Sequence, residues 1–209
     1  MKAFLFDMDG TLIDSELLWV EAMETVMGQL EFHVSRAESV ELVYGRAWPD
    51  IYRKLKSRYP DLALSKDALQ QRLATLFLSL RLTRDISIPS SITLLRKLAA
   101  SLPVAVVSGS TRADVDDGIR LMGIGPCLRF SLACEDYAPG KPHPACYLKA
   151  AAKLGVEPAD CVVFEDSEAG VKAAKAAGMY CVALQRPGMP AQDLSSADRI
   201  LTDLAGFDP

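Results

Sequence analysis

Apolar residues follow two rhythms along this chain. Three short runs, at residues 3–6, 103–107 and 161–164, are rich in branched or aromatic side chains, and each stops abruptly at polar residues. Unbroken runs of that length predict strands buried on both faces, as in a parallel sheet, because a half-solvated strand would alternate apolar with polar. Weaker runs at 128–134 and 179–184 predict a fourth and a fifth strand. Between them, helical spacing marks 92–100, 113–122, 145–154 and 168–177. Gly155 and Gly178 stand just behind the last two, where helix C-caps are expected. Strand and helix thus alternate from residue 86 onward, which predicts an α/β fold with a doubly wound parallel sheet.

Residues 15–82 break that alternation. Segments 16–30, 37–44, 50–58 and 66–82 are all helical in pattern, with no convincing strand among them. They predict a small all-helical domain at 15–82, inserted into a core made of 1–14 and 83–209. Leu69, Leu73, Leu76, Phe77 and Leu80 recur at helical spacing, which predicts the insertion's own core.

Composition narrows the class. The chain has 209 residues, half of them hydrophobic, enough for one compact core plus a modest insertion. Its formal charge is −4, with no long block of one sign, so no nucleic-acid partner and no membrane surface is expected. An anionic ligand must then be held by a local site. The five cysteines are odd in number and lack CxxC spacing, which predicts reduced thiols and a cytoplasmic protein. Asp7 and Asp9 interrupt the apolar segment that a secretory signal would need, and no run reaches membrane-spanning length. A monomer or small homo-oligomer is expected.

Chemistry collects where the strands end. The stretch FDMDGT places Asp7 and Asp9 two positions apart, so both project to one side if the strand continues that far. Two adjacent carboxylates repel, and one must take a proton unless a cation lies between them. Behind the second strand, Ser108, Gly109, Ser110 and Thr111 form a hydroxyl-rich turn at a helix start, a place suited either to a phosphate or to simple N-capping. Behind the fourth run, Gly140-Lys141-Pro142-His143-Pro144 is stiffened by two prolines that would fix Lys141 as a point charge. His143 reads as a loop residue rather than a base, and His33 as a surface residue. Behind 161–164 come Glu165-Asp166-Ser167 and then Gly170. Such carboxylates are oxygen ligands for a hard cation such as Mg²⁺, and Asp166 or Ser167 can cap the next helix as well. In doubly wound sheets ligands bind at the carboxyl ends of strands, so these distant residues are expected to converge.

DMDGT, SGS, KPHP and ED with Gly170, in that order, resemble the four motifs of the haloacid dehalogenase-like superfamily. The resemblance spans residues 6–184 and implies a Rossmann-like core. The inserted helices resemble the cap of the sugar-phosphatase and β-phosphoglucomutase branch. It implies that Asp7 is a nucleophile forming an aspartyl-phosphate and that Asp9 is the acid and base. It also implies Mg²⁺ on Asp7, the Asp9 carbonyl and Asp166, with Glu165 adjacent, directly or through water. Ser108, the N–H groups around Gly109 and Ser110, and Lys141 would hold the phosphoryl oxygens, and Thr11 would steady the first loop beside them. Dehalogenases replace the second aspartate, so Asp9 favours phosphoryl chemistry. Phosphonate hydrolases need a cap lysine behind the first motif, and none stands there.

Where β-phosphoglucomutases carry a cap histidine and a cap arginine, this chain has Trp19 and Trp48. That departure favours a Mg²⁺-dependent phosphatase of a small phosphorylated metabolite, such as a sugar phosphate, over a hexose-phosphate mutase. A non-catalytic phosphometabolite-binding protein would be a third alternative, against which the intact Asp7, Asp9, Ser108, Lys141 and Asp166 set speaks. Glu16, Gly45 and Arg46 are the expected specificity contacts, Arg46 toward a second anion or a sugar hydroxyl.

Overall fold

The computed structural model describes residues 1–44 and 48–208. The chain divides into two compact units, Met1–Ile13 with Ser87–Pro209, and Asp14–Ile86.

The first unit holds six strands, β1 (Ala3–Phe6), β2 (Val104–Val107), β3 (Phe130–Leu132), β4 (Cys161–Glu165), β5 (Tyr180–Leu184) and β6 (Arg199–Leu201). They form one parallel sheet in the order β3-β2-β1-β4-β5-β6. Every residue of β1, β2 and β4 is buried, which is why these three read as unbroken apolar runs. From β1 the chain builds outward through β2 and β3, then crosses back to β4 on the other side. The switch point therefore lies between β1 and β4, where such folds leave a crevice at the carboxyl ends.

Side-chain parity decides what faces that crevice. Ala3 and Leu5 of β1, Ala105 and Val107 of β2, and Cys161 and Val163 of β4 share a core with Tyr147, Ala150 and Ala151 of α7 (Ala145–Leu154). Val171, Ala173 and Ala174 of α8 (Glu168–Ala176) join the same core. The alanines let both helices lie close to the sheet. The opposite parity carries Phe4, Phe6 and Phe164, with Phe6 stacked on Phe164 at 4.4 Å and Phe207 edge-on to Phe164 at 4.9 Å. Phe6 pairs with Val106 and with Phe164, so Asp7, Val107 and Glu165 occupy the next row up. All three have the parity of the α7 face.

The other crossovers are α5 (Pro89–Ala99) and α6 (Arg112–Met122). Helix α5 starts earlier than its apolar pattern because Pro89 occupies its first turn, where a missing N–H costs nothing. Strand β1 stops at Phe6, so Asp9 does not continue it. Gly10 turns the chain at φ +86° and donates its N–H to the Ile13 carbonyl at 2.6 Å. Strand β6 has no counterpart in the apolar pattern. Only three residues long and mostly exposed, it is placed by Asp198, which accepts from the Cys181 N–H at 2.7 Å and pairs with Lys175 at 2.6 Å.

The second unit is α1 (Ser15–Gln29), α2 (Arg36–Val43), α3 (Trp48–Arg58) and α4 (Lys66–Thr83). Asp14, Ser35 and Ser65 cap α1, α2 and α4. Leu69 and Leu73 are buried in its core with Val20, Met23, Met27 and Leu55, and Leu76 and Leu80 pack against that cluster. Trp19 stacks on Phe77 at 4.2 Å, close to parallel.

Candidate active site

At the carboxyl ends of β1 and β4, Asp7, Glu165 and Asp166 offer carboxylate oxygens that all lie within 4.8 Å of one another. Asp7 and Glu165 are buried and Asp166 half-buried. Lys141, from the loop before α7, reaches between two of them. Its Nζ donates to Asp7 Oδ1 at 2.6 Å, to Glu165 Oε1 at 2.6 Å and to the Val107 carbonyl at 3.2 Å. The same ammonium lies 5.2 Å from the centre of the Tyr147 ring.

Glu165 is the most heavily tied member. Oε1 accepts from Lys141 and from the Tyr147 hydroxyl at 2.8 Å, and Oε2 from the N–H groups of Asp166 and Ser167 and the Ser167 hydroxyl. Those N–H groups precede α8, so the carboxylate sits at the positive end of that helix. Gly170 makes this possible, because a Cβ there would fall 1.7 Å from Glu165 Oε1. Gly10 does the same for Asp166: a Cβ would fall 1.9 Å from Asp166 Oδ2, and the turn's positive φ favours glycine besides.

Burial opposes the charge on Glu165, but Lys141 and the surrounding donors outweigh it and hold its carboxyl below the usual range. Burial also opposes the Lys141 ammonium, and Asp7 and Glu165 more than restore it, so it stays protonated. Asp7 moves the other way. Its burial, with Glu165 and Asp166 beside it, raises it well above the ordinary carboxyl range despite Lys141. Three carboxylates meet here and the one ammonium reaches two of them, so the cluster lacks positive charge. A hard divalent cation taking oxygen ligands fits that deficit, and Asp7 and Asp166 are the donors suited to it, since both Glu165 oxygens are committed.

Asp9 addresses other partners. Its Oδ2 accepts from the Ser110 hydroxyl at 2.6 Å and, at 3.4 Å, from that of Ser108. Ser108 is fully buried at the end of β2, and its Oγ accepts from the Ser110 N–H at 3.0 Å. Gly109 is exposed with open space about its Cα, and Thr111 caps α6. Thr11 is buried and donates to Asp166 Oδ1 at 3.4 Å, so it braces that carboxylate. His143 is exposed and accepts from the Ala145 N–H at the start of α7, and His33 is exposed in the second unit.

Glu16 lies half-buried in the first turn of α1. Gly45 and Arg46 lie outside the described residues. Cys134 is exposed rather than a core residue, and all five thiols are free.

Two tyrosines at the site went unread in the sequence. Tyr147 looks like one more apolar position of an alanine-rich helix. Tyr137, its phenol pushed up to about 12 by burial, donates to the Ser108 carbonyl at 2.8 Å. The usable signal was that a buried tyrosine hydroxyl must find a partner. Among the described residues no helix is long and apolar enough to cross a membrane.

Residues 1–178 match the family model described as haloacid dehalogenase-like hydrolase. The hexitol phosphatase B of Escherichia coli K12 is 31% identical over 88% of this chain and 84% of its own length. The bifunctional riboflavin kinase/FMN phosphatase of Arabidopsis thaliana is 31% identical over 96% of this chain, which spans only 52% of that longer protein. Among solved structures, a HAD family hydrolase from Deinococcus radiodurans, crystallised with phosphate and sodium, superposes with a TM-score of 0.84. It is 30% identical and aligns over 98% of this chain and 92% of its own.

Proposed function

Because the chain belongs to the haloacid dehalogenase-like hydrolase family, as a phosphoric monoester hydrolase acting on small phosphorylated metabolites, we propose that it cleaves a sugar or sugar-alcohol phosphate by double displacement at Asp7. The observation that carries this reading is the cluster of Asp7, Glu165 and Asp166 at the switch point of the sheet, with the Lys141 ammonium paired to the first two.

Asp7 attacks phosphorus in line and forms an aspartyl-phosphate. The leaving oxygen takes a proton from Asp9, which afterwards draws one from the water that hydrolyses the intermediate. Lys141 and Ser108 hold phosphoryl oxygens and offset the charge that gathers there. Asp7, Asp166 and the Asp9 carbonyl would hold Mg²⁺, which when bound supplies the positive charge the cluster lacks. Glu165 acts through Lys141, and Thr11 braces Asp166. Substrate choice is assigned to the inserted helices through Glu16, Gly45 and Arg46.

Water is the proposed acceptor rather than a second sugar hydroxyl. Trp19, stacked on Phe77 where a mutase would present an imidazole, has a donor N–H and no proton-accepting group. The purified protein should release phosphate from a panel of sugar and hexitol phosphates only with Mg²⁺, and Asp7→Asn should abolish release. Undiminished turnover in that variant would sink the mechanism.

A further inference from the structure

We propose that the Ser110 hydroxyl is the positioning group for Asp9, fixing the carboxyl that protonates the leaving oxygen; this rests on the acid role assigned to Asp9 above. Strand β1 ends at Phe6, so Asp9 lies in an irregular loop ahead of the Gly10 turn, and regular strand pairing does not orient its side chain. Ser110 reaches it: its Oγ donates to Asp9 Oδ2 at 2.6 Å, with Ser108 Oγ at 3.4 Å from the same oxygen.

Ser110 is itself held from both sides. Its N–H donates to Ser108 Oγ at 3.0 Å and its carbonyl accepts from the Cys134 N–H at 3.0 Å. The segment carrying Cys134 is pinned in turn, because the Arg112 N–H donates to both oxygens of Glu135 at 3.0 and 2.9 Å. The Arg112 guanidinium also pairs with Asp136. A hydroxyl on a backbone so clamped is set before substrate arrives, and such preorganisation is what proton delivery needs.

Holding Oδ2 fixes the orientation of the carboxyl that delivers the proton. As the bond from Asp7 to phosphorus forms, the phosphorus–oxygen bond to the leaving group breaks. The leaving oxygen takes the proton with that electron pair, and Asp9 is left as the carboxylate. The Ser110 N–H is already engaged with Ser108, so this residue contributes its hydroxyl to the acid and not its N–H to the phosphoryl group.

The test is the leaving-group dependence of kcat/KM, which reports only the first displacement. Phenyl phosphate, whose leaving group benefits from a proton, is compared with 4-nitrophenyl phosphate, whose leaving group departs without one. Ser110→Ala should widen the ratio between the two esters by about tenfold, the worth of one hydrogen bond to an ionisable group. Inhibition by inorganic phosphate should be unchanged, and Ser110→Thr should restore the ratio. Asp9→Asn should widen it further, by about a hundredfold. If Asp9→Asn widens it and Ser110→Ala does not, Ser110 does not position the acid and the assignment of Asp9 stands. If neither does, the role of Asp9 falls and this proposal with it. If both esters slow equally in Ser110→Ala and phosphate inhibition weakens, Ser110 binds the phosphoryl group and the proposal is overturned.

Discussion

Replacing Lys141 by methionine keeps the length of the side chain and removes its charge from a place where three carboxylates meet. The side chains of Lys141, Asp7 and Glu165 are only 11%, 9% and 0% exposed, so water cannot stand in for the ammonium. Removing one partner of a buried pair costs about 3–5 kcal/mol, because the other charge is left uncompensated. For a chain of this size that is a fall of about 6–20 °C in the melting temperature, read by thermal denaturation in chelator at neutral pH. The loss should also depend on pH in a stated direction. In the wild type, Glu165 has a depressed pKa, so its contribution is present above the unfolded carboxyl value and is lost as pH falls through the folded one. Without Lys141 the cluster binds an extra proton in the folded state, which relieves the variant by about 1.4 kcal/mol per pH unit as acid is added. The difference between wild type and variant should therefore narrow steadily from pH 7 to pH 5. A loss below about 1 kcal/mol, or one that does not change with pH, would refute the view that the Lys141 ammonium is the buried partner of Asp7 and Glu165.

Gly170→Ala should be severe for a reason that is not backbone strain. Its Cβ would overlap the Glu165 carboxylate and drive it from its donors, so a loss of about 1–3 kcal/mol and a fall in phosphate release of at least about tenfold are expected. Gly140→Ala, at a position with open space, should stay within about 0.5 kcal/mol when both variants are compared by urea denaturation. Tyr147→Phe keeps the ring beside Lys141 and removes only the hydroxyl that Glu165 accepts from. A loss of about 1.5–3 kcal/mol is expected, and a loss below about 0.5 kcal/mol would show that the hydroxyl contributes no support.

What could be read in advance followed from burial. Strand β1 coincides with its apolar run because all four residues are buried, and β5 departs from its predicted run only at Met179, which is buried but precedes the strand. Strand β6 was illegible, since two of its three residues are exposed and a side-chain contact from Asp198 places it rather than an apolar pattern. At the site, the carboxylates and Lys141 were visible as polar residues ending apolar runs, and the sheet order brings them together. Their partners were not visible. The bond from Ser110 to Asp9 joins residues 101 positions apart, and the one from Tyr147 to Glu165 starts on a residue indistinguishable from core until the helix is docked. The extended-strand argument for Asp7 and Asp9 also failed locally. The strand stops before both, and the two carboxylates meet different partners.

The central claim is that Asp7 itself carries the phosphoryl group between substrate and water. The stereochemical course at phosphorus tests it most directly. An ester whose phosphoryl group is made chiral with sulfur and oxygen isotopes is hydrolysed in isotopically labelled water, and the configuration of the released thiophosphate is determined. Two successive in-line displacements, first by Asp7 and then by water, predict net retention. Net inversion would mean that water attacks the substrate directly, and it would contradict the account.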